Sequence, residues 1–127
     1  MPSSGGKPPR GGYNFGWDVF EGRNNYEAGG APGAIRPVLQ HNHDQGFCSI
    51  TGGYVIRDRS LGRGWTGRYV YSDYCEGTLR LARLRRPNAP THPTRLHVDS
   101  LASFGEDGRG RVYAISLNGP IYRIGRR

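Results

Sequence analysis

The residues that could most readily form a covalent bond or bind a metal are two cysteines and the histidines of one short segment. Cys48 and Cys75 are the two cysteines of the chain. A disulfide between them would close a loop of about 28 residues and stabilise a small domain in an oxidising compartment. Two buried free thiols would instead suit a cytosolic protein, and the residues alone leave both possibilities open. His41 and His43 would share one face of a strand, where Asp44 could complete a metal site, but the pattern favours a surface turn.

Acidic residues at predicted turns add little further chemistry. Asp73, Glu106 and Asp107 stand in such turns, where carboxylates serve far more often as turn residues than as cation ligands. The sequence contains no nucleophile elbow, no phosphate-binding loop and no paired catalytic carboxylates. We therefore predict no catalytic residue and no metal ligand in this chain.

The secondary structure around these residues is predicted to consist of short strands. With 21 Gly and 9 Pro in 127 residues, nearly every ten-residue window is interrupted, which excludes long helices and indicates an all-β chain. We expect loops over residues 23–37 and 85–93. In the second strand, Gly52 and Gly53 predict a bulge or a close backbone contact. The predicted strands cover residues 37–42, 49–57, 68–72, 78–84, 96–104, 111–117 and 121–124. Residues 1–12 are predicted to be a flexible linker or tail, and residues 13–127 to form the domain, with order beginning at Tyr13.

Charge and hydropathy exclude several classes of function. The net charge is +8, but 17 arginines and one lysine are dispersed along the chain without a basic block. We therefore predict a solvated basic surface and no nucleic-acid binding. No apolar run approaches the roughly 20 residues of a membrane span. The first twelve residues also lack the apolar region of a signal peptide.

An internal repeat predicts the architecture. Tyr71 is followed six positions later by Gly77, Tyr113 is followed six positions later by Gly119, and the two tyrosines lie 42 positions apart. Pairs of short strands at such a period are typical of β-propeller blades. A chain of this length holds one to two and a half blades, and propellers close with about four to eight. It is therefore predicted to be a fragment of a larger propeller or to assemble with copies of itself.

Four ordered motifs carry a resemblance to a known family. They are residues 14–22 (NFGWDVFEG), 48–57 (CSITGGYVIR), 67–75 (GRYVYSDYC) and 103–107 (SFGED). Over residues 13–124 the chain closely resembles the C-terminal part of the glucose/sorbosone dehydrogenase family, soluble sugar dehydrogenases that use pyrroloquinoline quinone (PQQ) and fold as six-bladed β-propellers. The resemblance implies that Cys48 and Cys75 form a disulfide. It also implies an oxidoreductase that acts on CH–OH groups of a sugar substrate, with PQQ and calcium as cofactors, in a secreted or periplasmic protein.

The resemblance assigns one site residue. A cofactor-contacting lysine of the family falls at the end of the strand that matches residues 54–57, so Arg57 is the candidate cofactor-binding residue. The cofactor arginines before the final blade have no match here, because residues 96–98 stand in their place with Arg95 merely nearby. The catalytic histidine and the calcium loop belong to upstream blades, which are the implied partners. We thus expect a fragment that is inactive alone and that does not bind PQQ or calcium by itself, or alternatively a non-catalytic propeller or carbohydrate-binding module.

Overall fold

A computed structural model describes residues 14–15, 17–18, 20–26, 28–85 and 88–126. They fall into two compact units, one comprising the described residues up to Gln40 and those between 84 and 89, the other comprising residues 41–83 and 90–126. The predicted tail over residues 1–12 and the predicted start of order at Tyr13 lie outside the described residues. Where the chain is described, no helix is long and apolar enough to cross a membrane.

The first unit contains a small antiparallel hairpin of β1 (Phe20–Glu21) and β2 (Asn24–Asn25). The predicted loop over residues 23–37 therefore includes a strand. The predicted strand over residues 37–42 is wrong, because none of these residues lies in a strand. The carbonyl of Pro37 accepts from Arg23 Nη2 at 2.9 Å, and the side chain of Gln40 accepts from the amide of Arg23.

The second unit begins with a four-stranded antiparallel sheet in the order β3-β4-β5-β6. Its strands are β3 (Ile50–Val55), β4 (Tyr69–Asp73), β5 (Thr78–Ala82) and β6 (Thr91–His97). The predicted bulge is confirmed, because the register between β3 and β4 shifts between Gly52 and Tyr54. Gly53 is the extra residue, and its backbone lies against the carbonyl of Val70.

The structure around β6 differs from two of the predictions. The first residues of this strand belong to the predicted loop over residues 85–93, and it contains Pro93, which is tolerated because β6 is an edge strand. The predicted strand over residues 96–104 is interrupted at Ser100, whose φ of 51° lies in the left-handed region. The chain turns there and leaves the first sheet for the second.

The second sheet has three antiparallel strands in the order β7-β8-β9. They are β7 (Leu101–Glu106), β8 (Val112–Ser116) and β9 (Ile121–Arg123). The first strand is again bulged, with a register shift between Leu101 and Ser103. The sequence repeat thus corresponds to two hairpins, β4–β5 and β8–β9, each preceded by a bulged strand.

The hydrophobic core of this unit lies between the two sheets. Its buried members are Ile56, Leu61, Val70, Leu79, Leu81, Val98, Leu101, Phe104, Val112, Ala114 and Ile124, with Tyr54 and Trp65 packed against them. Leu79 and Leu81 alternate along β5, and Val112 and Ala114 alternate along β8, as strands that turn one face towards the core require. The all-β prediction is confirmed, and within the described part of the chain the sheets do not close into a ring.

Candidate functional site

Arg57, the predicted cofactor residue, lies just beyond β3 and is paired with a carboxylate of the other sheet. Its Nη2 donates to Glu106 Oε1 at 2.6 Å and its Nε donates to Glu106 Oε2 at 3.1 Å. The side chain of Arg57 is 65% exposed and that of Glu106 only 15%. The hydrogen bonds and charge of Glu106 raise the pKa of Arg57. This bidentate pair joins the ends of β3 and β7.

A second ion pair lies beside the first, in the turn between β7 and β8. Asp107 accepts from Arg111 Nε at 2.7 Å, from the amides of Arg109 and Arg111, and from the Tyr113 hydroxyl at 3.0 Å. Desolvation alone would raise the pKa of Asp107, but these four donors outweigh it and lower the pKa to about 2. The turn packs closely on Arg57, since a Cβ on Gly110 would lie 3.2 Å from the Arg57 Cβ.

These residues do not form a ready-made site for a cofactor that carries carboxylates. Each guanidinium, Arg57 and Arg111, is already matched by an acidic partner. Arg57 retains three of its five N–H donors, because Glu106 uses two. A quinone carboxylate would therefore have to share Arg57 with Glu106 or displace it. The role of Arg57 in cofactor binding stays a prediction.

The cysteines are joined in a disulfide, as the resemblance implied. The Cα atoms of Cys48 and Cys75 are 5.8 Å apart, within the range that a disulfide requires. The bond connects the segment before β3 to the turn between β4 and β5. Such a bond is compatible with an oxidising compartment.

Asp73 joins the same two segments, the one before β3 and the turn between β4 and β5, by hydrogen bonds. Its carboxylate accepts the amides of Cys48 and Ser49 on one oxygen and those of Cys75 and Glu76 on the other, at 2.7–3.0 Å. Desolvation of this fully buried residue would raise its pKa, but the four amides outweigh it and lower the pKa. The sulfurs near the carboxylate are bonded to each other, so the group does not offer a metal site.

A hydrogen-bonded chain covers the face of the first sheet that points away from the core. His41 Nε2 lies 2.6 Å from the Tyr71 hydroxyl, which lies 2.6 Å from Thr91 Oγ1. The His41 ring stacks on Phe47 at 4.2 Å, and the guanidinium of Arg80 lies 5.1 Å from the centre of the Phe47 ring. Burial, followed by the charge of Arg80, lowers the pKa of His41. The cluster packs a neutral imidazole against a buried tyrosine, which is a structural arrangement rather than an open acid–base centre.

The proposed pairing of His41 with His43 and Asp44 on one strand face does not form. His43 and Asp44 belong to a 3-10 turn, His43–Gln45, outside any strand. His41 is instead directed to Tyr71. The turn interpretation for this segment is therefore confirmed at residues 43–45.

The sequence contains a local signal for the contacts of Asp73, but none for the partners of Arg57 and His41. Asp73 lies two positions before Cys75, the spacing at which an Asp side chain accepts a backbone amide in an Asx turn. The contacts of Arg57 with Glu106 and of His41 with Tyr71 span 49 and 30 positions. No local pattern marks such distant pairs.

Comparison with known proteins gives one informative match. The chain is 28% identical to the HIPL1 protein of Arabidopsis thaliana over an alignment of 149 residues, which includes 89% of this chain and 21% of the relative. The chain therefore spans about a fifth of the length of that curated relative. No protein-family model matches the chain, and no solved structure matches it.

Proposed function

We propose that the chain is the C-terminal part of a propeller of the glucose/sorbosone dehydrogenase type, and that the oxidoreductase centre of the whole protein lies in blades outside it. The observation that carries the proposal is the repeated design of the two sheets. Each begins with a bulged strand followed by a hairpin, and they pack face to face around one core. The four ordered sequence motifs support the same assignment.

The part of such a protein that this chain would supply is structural. β3 and β7 are the first strands of their sheets and their ends are joined by the pair of Arg57 and Glu106. The disulfide of Cys48 and Cys75 fixes the opposite end of β3. In the whole protein, the chemistry that PQQ would supply is the two-electron oxidation of a sugar CH–OH group, in which the carbon loses a hydride and the hydroxyl oxygen loses a proton. The described residues would brace the blade beside that centre, in a secreted or periplasmic protein.

A second candidate function is a non-catalytic propeller or carbohydrate-binding module. The observation that favours it is the local neutralisation of Arg57 by Glu106 and of Arg111 by Asp107. A protein whose arginines are neutralised in this way keeps the propeller fold but has little affinity for an anionic cofactor. In this version the whole protein binds sugars and does not oxidise them.

The experiment that tests the first proposal is an oxidation assay on the 127-residue chain. Dye-linked glucose oxidation with added PQQ and calcium should stay at background, because no residue of this sequence matches the catalytic histidine of the family. Rates for the unaltered chain, Arg57→Ala and Glu106→Gln should coincide. Turnover that Arg57→Ala abolishes would overturn the proposal, because it would place the active centre within this chain.

The two candidates are separated by PQQ binding to the Glu106→Gln variant. Removal of the carboxylate charge leaves Arg57 free for another anion. If the site retains the family's geometry, the variant should bind PQQ at least about tenfold more tightly than the unaltered chain, which is a gain of about 1.4 kcal/mol. Equal affinities, unaffected by Arg57→Ala, would favour the non-catalytic module.

A further inference from the structure

The disulfide of Cys48 and Cys75 lies at the surface of the second unit and adjoins a buried carboxylate. Both cysteines are exposed, whereas Asp73 is 0% exposed. One carboxylate oxygen of Asp73 and the two sulfur atoms all lie within 4.8 Å of one another. Because thiol–disulfide exchange requires access to a sulfur atom, a dissolved thiol can attack this disulfide without any opening of the sheet.

Asp73 holds both cysteines by their backbone amides and not by their sulfur atoms. One carboxylate oxygen accepts from the Cys48 amide at 2.9 Å, and the other accepts from the Cys75 amide at 2.8 Å. The amide of the residue after each cysteine binds the same oxygen. A main-chain bond from the amide of Tyr74 to the carbonyl of Ser49, at 3.0 Å, joins the same two segments. All of these bonds can persist when the disulfide is reduced.

These contacts fix the positions of the two thiols in the reduced protein. Hydrogen bonds to a carboxylate are about twice as strong as those between neutral groups. Because one carboxylate binds the amides of both segments, the cysteines cannot separate unless some of these bonds break. The 27 positions between the cysteines would otherwise make closure of the loop costly in chain entropy. In the folded dithiol that entropy is already lost, so the sulfurs can bond again readily.

We propose that Cys48 and Cys75 are a redox site that opens and closes within the folded protein, and that Asp73 is the residue that positions their thiols for closure. The reactants are small thiols, which open the disulfide, and small disulfides, which close it. The inference does not depend on the proposed function, because it uses only the contacts around these three residues.

Opening of the site is a two-electron reduction. An external thiolate attacks one sulfur of the protein, which forms a mixed disulfide and releases the other cysteine as a thiolate. A second external thiolate then attacks the mixed disulfide and releases the first cysteine. The protein gains two electrons and two protons, and the two external thiols leave as one disulfide. Closing reverses these steps, with an external disulfide as the oxidant that leaves as two thiols.

The first test measures amide hydrogen exchange in the unaltered chain before and after reduction with dithiothreitol. In the reduced chain, the amides of Cys48, Ser49, Cys75 and Glu76 should keep their protection within about tenfold, because Asp73 still binds them. Amides within β7 and β8 report whether the chain stays folded. Loss of protection at the four amides alone would overturn the proposal, because the disulfide itself would then hold the cysteines together. Loss throughout the chain would also overturn it, because the dithiol would then be unfolded.

The second test compares Asp73→Asn with the matched control Asp107→Asn in glutathione redox buffers. Each substitution removes the charge of a carboxylate that accepts from four donors, but Asp73 lies against the cysteines and Asp107 lies in the turn between β7 and β8. The readout is the equilibrium constant for disulfide formation, obtained by mass spectrometry after alkylation of free thiols. This constant reports the positions of the thiols rather than the stability of the fold.

Asp73→Asn should lower the equilibrium constant by about tenfold or more, the effect of one lost hydrogen bond to a charged group. Asp107→Asn should change it by less than about twofold, because its turn does not contact the cysteines. Equal constants for the two variants would overturn the role of Asp73. If Asp73→Asn does not fold, the exchange measurement on the unaltered chain decides the proposal by itself.

Discussion

Gly53 is a residue at which the structure has no room for a side chain. It is the extra residue of the β3 bulge, and a Cβ there would collide with the carbonyl oxygen of Val70 on the neighbouring strand. That contact is with backbone, so no rotamer change relieves it. The two strands would have to separate to admit even a methyl group.

We expect Gly53→Ala to lower the free energy of unfolding by at least about 2 kcal/mol, the scale at which an overpacked core residue disrupts its surroundings. The matched control is Gly105→Ala, in strand β7, where a Cβ meets nothing within 4 Å. It should change stability little. Chemical denaturation of the two variants measures both values, and equal losses would contradict the assignment of Gly53 to a close backbone contact.

The lowered pKa of Asp107 makes the free energy of unfolding depend on pH in the acid range. Its pKa of about 2 in the folded chain lies below the ordinary value of 3.8, so the folded state favours the ionised form. The stabilisation is therefore fully present above about pH 4 and is lost as the pH falls towards 2. Asp73, whose pKa is also lowered, contributes with the same sign.

Asp107→Asn should flatten this acid limb without removing it, because Asp73 remains. The free energy of unfolding of the variant should fall less between about pH 4 and pH 2 than that of the unaltered chain. Denaturant titrations across this range measure the difference. An identical acid limb in both proteins would show that the four donors around Asp107 do not stabilise its charge.

At the scale of elements, the disulfide and Asp73 hold β3 to the β4–β5 turn by independent means. The covalent bond joins Cys48 to Cys75, and the carboxylate binds amides on both sides of it. Because the bridge spans 27 positions, its main effect is to restrict the unfolded chain. The carboxylate instead stabilises the folded corner.

We expect the paired substitution Cys48→Ser and Cys75→Ser to lower the free energy of unfolding by about 3–4 kcal/mol, from the loop entropy of the unfolded chain. Thermal unfolding with and without reductant gives the same comparison on the unaltered protein. Reductant should have no effect on the doubly substituted chain. A melting temperature that reductant leaves unchanged in the unaltered protein would contradict this expectation.

Some elements were predictable from local pattern and others were not. The bulge in β3 and both hairpins follow from glycine placement and alternating side chains, and they are confirmed. Strand β6 was hidden because Pro93 normally argues against a strand, and only its place at the edge of the sheet makes the proline acceptable. The false strand over residues 37–42 has the right composition but no neighbour to complete a ladder.

For the whole molecule, the distribution of charge matters more than its sum. Among the residues that the structure describes, Arg57, Arg80 and Arg111 are paired with carboxylates. The remaining cations do not form one block in the sequence. A dispersed positive charge gives weak, non-specific attraction to polyanions that salt suppresses.

We therefore expect no binding of the full chain, at about 1 µM, to a DNA duplex in about 150 mM salt, and weak binding only when the salt is lowered. Fluorescence anisotropy of a labelled duplex measures both conditions. The low-salt arm serves as the control that the protein is active as a polycation. Submicromolar binding that persists at physiological salt would show that the arginines converge on a nucleic-acid surface.

The amino-acid sequence alone predicts the all-β class, the repeat and the candidate residues. Frequent glycine and proline exclude long helices, alternation marks strands that bury one face, and spacing exposes a period of 42, all of which are local properties of the chain. The partners of the candidate residues are visible only in the folded structure, where Glu106 neutralises Arg57 and Tyr71 forms a hydrogen bond with His41. Those facts depend on which distant strands become neighbours, and packing of the two sheets around a common core fixes that choice.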